Sequence, residues 1–262
     1  MNLDYETVLF DRKGKVAVIT LNRPEKLNAL NLQMNKDLTA ALRESKENEE
    51  IRVIVITGSG KAFCAGADVA EFSSGEFLNS TTKEDERILI HPYKLYKLEK
   101  PIIAAVNGVA VGFGTNLTLC CDITFASERA SFGEFFIRMG IIPDMNGSLI
   151  LPMLVGVHKA KELIFSGERI YADEALRIGL VNRVFPHDEL IPKTMEFANN
   201  LAEKAPLAIS LSKKAIHKAY EKIFDEMLAI EKEYNDKLYA SEDHREAARA
   251  WVEKRKPIFK GR

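Results

Sequence analysis

A chain of 262 residues, 46% hydrophobic and 29% charged, has apolar material for one large or two small globular domains without disulfide or metal staples. Thirty-seven Lys and Arg against 38 Asp and Glu leave a net charge of −1. That balance argues against a dedicated nucleic-acid binder and against a polybasic membrane patch, both of which need a surplus of cations. The three cysteines, Cys64, Cys120 and Cys121, fit neither a disulfide framework nor a C-x-x-C metal site and read as reduced thiols. The acidic start MNLDYE lacks the apolar segment of a signal peptide, and no apolar run approaches the ~20 residues of a membrane span. A cytoplasmic protein is expected.

In chain order, buried strands are expected at 16–22 (VAVITLN), 53–57 (VIVIT), 102–106 (IIAAV) and 123–126 (ITFA), each rich in β-branched or small apolar residues. A helix is expected over 34–46, where Leu38, Ala41, Leu42 and Ser45 follow helical spacing. Near-continuous apolar strands alternating with helices point to an α/β core buried on both faces. Residues 81–87 (TTKEDER) read as a charged connection. From Pro206 to Lys256, Gly and Pro nearly vanish, and Ile216, Tyr220, Ile223, Met227, Ile230 and Tyr234 recur at helical spacing. This stripe serves equally to pack on the core or on another subunit. The expected division is a catalytic core over 1–203 and a helical region over 204–262.

Three loops follow strands and carry unusual residues. In 57–68 (TGSGKAFCAGAD), Lys61 is followed by Ala62, so the phosphate-loop spacing is absent, although the glycines let backbone N–H groups converge on an anion. In 107–116 (NGVAVGFGTN), Gly108, Gly112 and Gly114 do not match the dinucleotide fingerprint, but the N–H of Phe113 is free to meet a developing negative charge. In 132–147 (FGEFFIRMGIIPDMNG), Asp144 reads on local grounds as a helix N-cap and Glu134 as a surface carboxylate. G-x-S-x-G, H-E-x-x-H and C-x-x-C are all absent, and the five histidines show no ligand spacing, so no metal site is expected.

Together these stretches resemble the enoyl-CoA hydratase/isomerase, or crotonase, family. The likeness rests on VAVITLNRPEKLNAL (16–30), VIVITGSGKAFCAGAD (53–68), KPIIAAVNGVAVGFG (100–114), CDITFASERASFG (121–133), FSGERIYADEALRIGLVNRVFP (165–186) and WVEKRKPIFKGR (251–262), in order along the chain. It implies an α/β spiral of ββα units with a C-terminal helical region that forms trimers, or dimers of trimers. It also implies an acyl-CoA substrate, with no cofactor beyond the coenzyme A moiety. By motif position, the oxyanion-hole donors are the N–H groups of Ala67 and Phe113. Coenzyme A contacts fall at Lys26, Lys61, Ala65 and Asp68, with Trp251 and Lys254 reaching across a subunit contact. Gly112, Gly114 and Phe136 border the acyl group, and Phe135 and Met139 are further candidates for that wall.

The resemblance also shows a departure. Hydratases of the family orient water with two glutamates; this chain has Asn116 and Phe136 at those positions. Neither residue transfers a proton as a general base does. Asp144 stands where isomerase branches place a single acid/base carboxylate, which reverses the capping reading. The expected activity is therefore double-bond migration in an enoyl-CoA by a one-carboxylate proton shuttle. The alternative is a hydratase, lyase or hydrolase that uses another carboxylate, such as Glu134. A remote alternative is a non-catalytic CoA- or RNA-binding relative.

Overall fold

The computed structural model describes residues 5–73, 95 and 98–262, so the 81–87 connection lies outside the described residues. Its six-stranded sheet has the order β1 (Val8–Lys13), β2 (Val16–Leu21), β3 (Val53–Gly58), β5 (Ile102–Val106), β7 (Ile123–Ser127), β10 (Arg183–Phe185). The β1/β2 pair is antiparallel and the remaining pairs are parallel. A second sheet has the order β4 (Ala62–Cys64), β6 (Val109–Val111), β8 (Ser131–Gly133), β9 (Ile170–Tyr171). The chain therefore steps from a long strand of the first sheet to a short strand of the second three times, at β3–β4, β5–β6 and β7–β8. This is the ββα spiral that the sequence implied.

The apolar runs are continuous because both faces of the first sheet are covered. Along β3, Ile54 and Ile56 enter the main core with α1 (Leu32–Glu47) residues Leu38 and Ala41. Val53 and Val55 instead meet α7 (Leu190–Ala202) through Leu190, Ala198 and Ala202. The α1 helix begins where Asn31 accepts the N–H of Met34 at 2.9 Å, an N-cap. The remaining α-helices among the described residues are α2 (Val69–Ser73), α3 (Phe113–Leu119), α4 (Gly147–Val155), α5 (Val157–Ser166), α6 (Ala172–Arg177), α8 (Pro206–Lys218), α9 (Glu221–Tyr239) and α10 (Glu242–Val252). Lys213 ties α8 to the sheet by donating to Asp122 at 2.7 Å, and Asp122 in turn accepts the N–H of Ile102.

The stripe read over 216–234 lies outward. Ile216, Tyr220, Ile223, Ile230 and Tyr234 are exposed, while the buried face of α9 carries Phe224, Glu231 and Asn235, one residue out of step. Among the described residues, no helix is long and apolar enough to cross a membrane.

Candidate active site

Three parallel short strands end side by side, with Cys64 paired to Ala110 and Val111 paired to Gly133. The loops that leave their carboxyl ends therefore share one region, the usual place for sites in parallel sheets. After β4 comes 65–68, after β6 the turn at Gly112, and after β8 the stretch 134–139. Close approach holds them there. A Cβ on Gly114 would lie 2.0 Å from the carbonyl oxygen of Cys64, so only glycine fits. Gly112 has φ of 52°, and a Cβ there would stand 3.9 Å from the Cα of Gly66 and 4.0 Å from the ring of Phe136.

The two candidate oxyanion donors are consequently neighbours. Around Ala67 the bonds run from Leu30 N–H to Gly66 O and from Asp68 N–H to Leu30 O, so its own N–H takes no part in that bridge. Phe113 opens α3, where the first N–H groups have no partner within the helix. Two buried asparagines brace the loops. Asn28 accepts the Arg23 N–H and donates to Ser59 O and Ala62 O. Asn107 accepts the Gly58 N–H and donates to Gly60 O and Ala62 O. Arg23 pairs with Asp68 at 3.1 Å, both nearly buried.

Asp144 does not cap a helix. The α4 helix starts at Gly147 with Asn146 at its N-cap position, and neither side chain caps it. Met145 and Asn146 both adopt left-handed backbone, φ 55° and 62°, which costs on the order of 1 kcal/mol each. Asn116 Nδ2 donates to the Asp144 carbonyl at 2.8 Å and reaches its Oδ1 at 3.4 Å. Asp144 is enclosed by protein yet keeps some accessible surface. Desolvation raises its pKa to about 6, opposed by the Asn116 hydrogen bond.

Glu134, expected at the surface, is instead 2% exposed, and neither carboxylate oxygen has a hydrogen-bond partner among the described residues. Leaving β8, its side chain turns inward, and burial followed by the charges of Asp144 and Glu231 raises its pKa to about 8. Glu231 is also 2% exposed, and desolvation lifts it to about 7 against the N–H groups of Ser148 and Asn146 that it accepts. Of the three acids, Asp144 is the one still open to solvent and the easiest to ionise. Among the described residues, no group of three or more His, Cys, Asp or Glu side chains could hold a metal ion.

The structure brings together Ala65, Ala67, Asp68, Gly112, Phe113, Gly114, Asn116, Phe136 and Asp144. Lys26 and Lys61 are exposed on adjoining turns, since a Cβ on Gly60 would lie 3.1 Å from Pro24. Trp251 and Lys254 stand exposed at the end of α10, and no hydrogen bond or ion pair joins them to this cluster among the described residues. The Phe113 ring packs in the main core, and Phe135 lies under the guanidinium of Arg138 at 3.9 Å. Phe136 remains at the glycine turn.

Sequence reasoning missed Arg23, Asn28, Glu231 and Asn235. The first two stood inside the matched stretch 16–30, where Asn28 between Leu27 and Ala29 was the available signal, while Arg23 among Asn22, Pro24, Glu25 and Lys26 carried none. The last two sit among the charges of a helix, where nothing local marks them.

A family model described as enoyl-CoA hydratase/isomerase matches residues 11–262. The chain is 40% identical over 259 residues to the short-chain-enoyl-CoA hydratase of Clostridium acetobutylicum, covering 97% of both. It is 37% identical over 260 residues to a crotonyl-CoA hydratase of Syntrophomonas wolfei, covering 97% of this chain and 98% of that one. A crystal structure of an enoyl-CoA hydratase/isomerase from Pseudoalteromonas atlantica superposes with a TM-score of 0.89 at 32% identity, covering 97% of this chain and all of the other. With the match running along nearly the whole chain, the protein is an enzyme of the enoyl-CoA hydratase/isomerase, or crotonase, family.

Proposed function

We propose that this enzyme moves a double bond within an enoyl-CoA, with Asp144 as its only proton carrier. The observation that carries this reading is the setting of Asp144, enclosed but still open to solvent, with a pKa raised to about 6 by desolvation and an Asn116 donor at its side. In this reading the thioester carbonyl lies between the N–H groups of Ala67 and Phe113. Ionised Asp144 removes a proton from the carbon next to the double bond, and the negative charge spreads through a dienolate onto the thioester oxygen. Each preorganised N–H facing that oxygen is worth roughly 3 kcal/mol. Asp144 then returns the proton two carbons away, so atoms and charge balance without water.

Family resemblance puts the hydratase carboxylates at 116 and 136, and here those positions hold an amide and a phenyl ring. The same resemblance assigns Lys26, Lys61, Ala65 and Asp68 to coenzyme A, with Trp251 and Lys254 supplied from a neighbouring subunit of a trimer or a dimer of trimers.

The test is Asp144→Asn. Conversion of a 3-enoyl-CoA to the conjugated 2-enoyl-CoA should fall at least a thousandfold while acyl-CoA binding persists, and parent-like turnover would sink the reading. Hydration is the second reading. The relatives named hydratases and the buried, unpartnered Glu134 favour it. If it holds, the enzyme consumes the conjugated thioester in water and Glu134→Gln abolishes that loss. If migration holds, the same variant leaves the conjugated product accumulating.

A further inference from the structure

The turn that bears Asp144 is held from outside its own segment. Glu231, on the buried face of α9, accepts the N–H of Asn146 at 2.7 Å and that of Ser148 at 2.9 Å. One turn further along the helix, Asn235 accepts the N–H of Ile142 at 3.1 Å and donates to its carbonyl at 3.2 Å. The spacing i, i+4 puts both side chains on one face. Four hydrogen bonds therefore bracket Asp144, two residues before it and two to four after it. They grip a segment whose Met145 and Asn146 are both in left-handed backbone. Such a turn persists only where its surroundings over-determine it.

Glu231 also does what no residue inside the turn does, because the start of α4 has no local side-chain cap. A buried carboxylate is an expensive way to cap a helix. Asn146, at the N-cap position, is fully buried in left-handed backbone and makes no side-chain cap, so the acceptor for these N–H groups comes from α9. From this geometry, and resting on the reading of Asp144 as the proton carrier, we infer that Glu231 and Asn235 are positioning residues. They fix the carboxylate of Asp144 against the substrate carbon and touch no substrate themselves.

The experiment compares Glu231→Gln, Glu231→Asp and Asn235→Ala, each also in an Asp144→Asn background, with 3-hexenoyl-CoA as substrate and saturated hexanoyl-CoA as binding probe. Misplacing a base by about an ångström is enough for a tenfold to roughly hundredfold loss. We expect kcat to fall by that factor, with KM and hexanoyl-CoA affinity within about threefold of the parent. Asn235→Ala leaves the buried charges untouched and gives a folded variant should either change at Glu231 unfold the chain. In the Asp144→Asn background none of them should lower the residual rate further, since they act through the group already removed.

A kcat within threefold of the parent in a folded variant, a loss carried by KM, or additive losses in the double variants overturns the inference. Failure of the underlying reading looks different, because Asp144→Asn alone would then keep turning over.

Discussion

At the scale of single residues, the site turns on which of three enclosed acids ionises first. Asp144 must be charged to accept a proton, so kcat/KM should rise with pH through about 6 and level off above it. The Asn116 hydrogen bond favours the charged form, so Asn116→Ala should move that acid limb to higher pH in a pH–rate profile. Glu134 leads to a stability prediction of opposite sense to the usual salt-bridged carboxylate. Its pKa is raised on folding, so unfolding releases a proton once pH exceeds the ordinary carboxylate value. Stability is therefore lost as pH rises from about 4.5 to about 8. Glu134→Gln should flatten denaturant-measured stability across that window by on the order of 5 kcal/mol. A variant whose stability falls with pH as steeply as the parent's would refute the buried, uncharged state. Asp144 was legible as the acid/base candidate through the family resemblance, although not from its local sequence. Pro143 and Gly147 make it look like a cap, the resemblance reversed that reading, and the fold places the start of α4 elsewhere.

Elements were legible in proportion to how much of their burial is written locally. The four inner strands of the large sheet are apolar throughout because helices cover both sides, and their expected bounds match to within a residue. The edge strand β1, VLFDRK, has one fully buried residue and gave no such signal. The short strands β4, β6 and β8 are three residues each, embedded in glycine-bearing loops, and their pairing is a tertiary fact. The bracing of their loops can be tested through Asn107. Replacing it by Ala strands the Gly58 N–H and leaves Gly60 O and Ala62 O with one donor fewer, which should cost about 1–3 kcal/mol. Urea unfolding measures this, and an unchanged midpoint would show that water takes over those bonds. Glu231 and Asn235 were invisible for the converse reason. In a helix dominated by Lys, Glu and Asp, a buried acid has no sequence mark.

For the whole molecule, the exposed stripe of Ile216, Tyr220, Ile223, Ile230 and Tyr234 is the unmatched surface of the helical region. Aromatic and aliphatic groups gathered along two helices favour self-association. The trimeric assembly proposed above accounts for why they are apolar. Ile230→Glu should therefore shift the mass measured by light scattering toward the monomer. It is exposed and lies about 100° around the helix from buried Glu231, so the grip on the Asp144 turn should survive. A parent-like mass would place the subunit contact elsewhere. A division at 203/204 is likewise a proposal, and the bonds from Lys213, Glu231 and Asn235 to the core make the second part a working piece of the first.

The grip of α9 on the Asp144 turn also sets an order of completion during synthesis. Residue 231 follows its partner Asn146 by 85 positions, and residue 235 follows Ile142 by 93. While the chain is being made, the proposed base and both proposed oxyanion donors emerge before the helix that holds the Asp144 turn. A message cut short, or a ribosome stalled before α9, leaves a chain with Asp144 but without the four hydrogen bonds that hold its turn. On the proposed reading of Asp144, a chain that ends before α9 is expected to be inert although it holds the whole of the proposed core over 1–203.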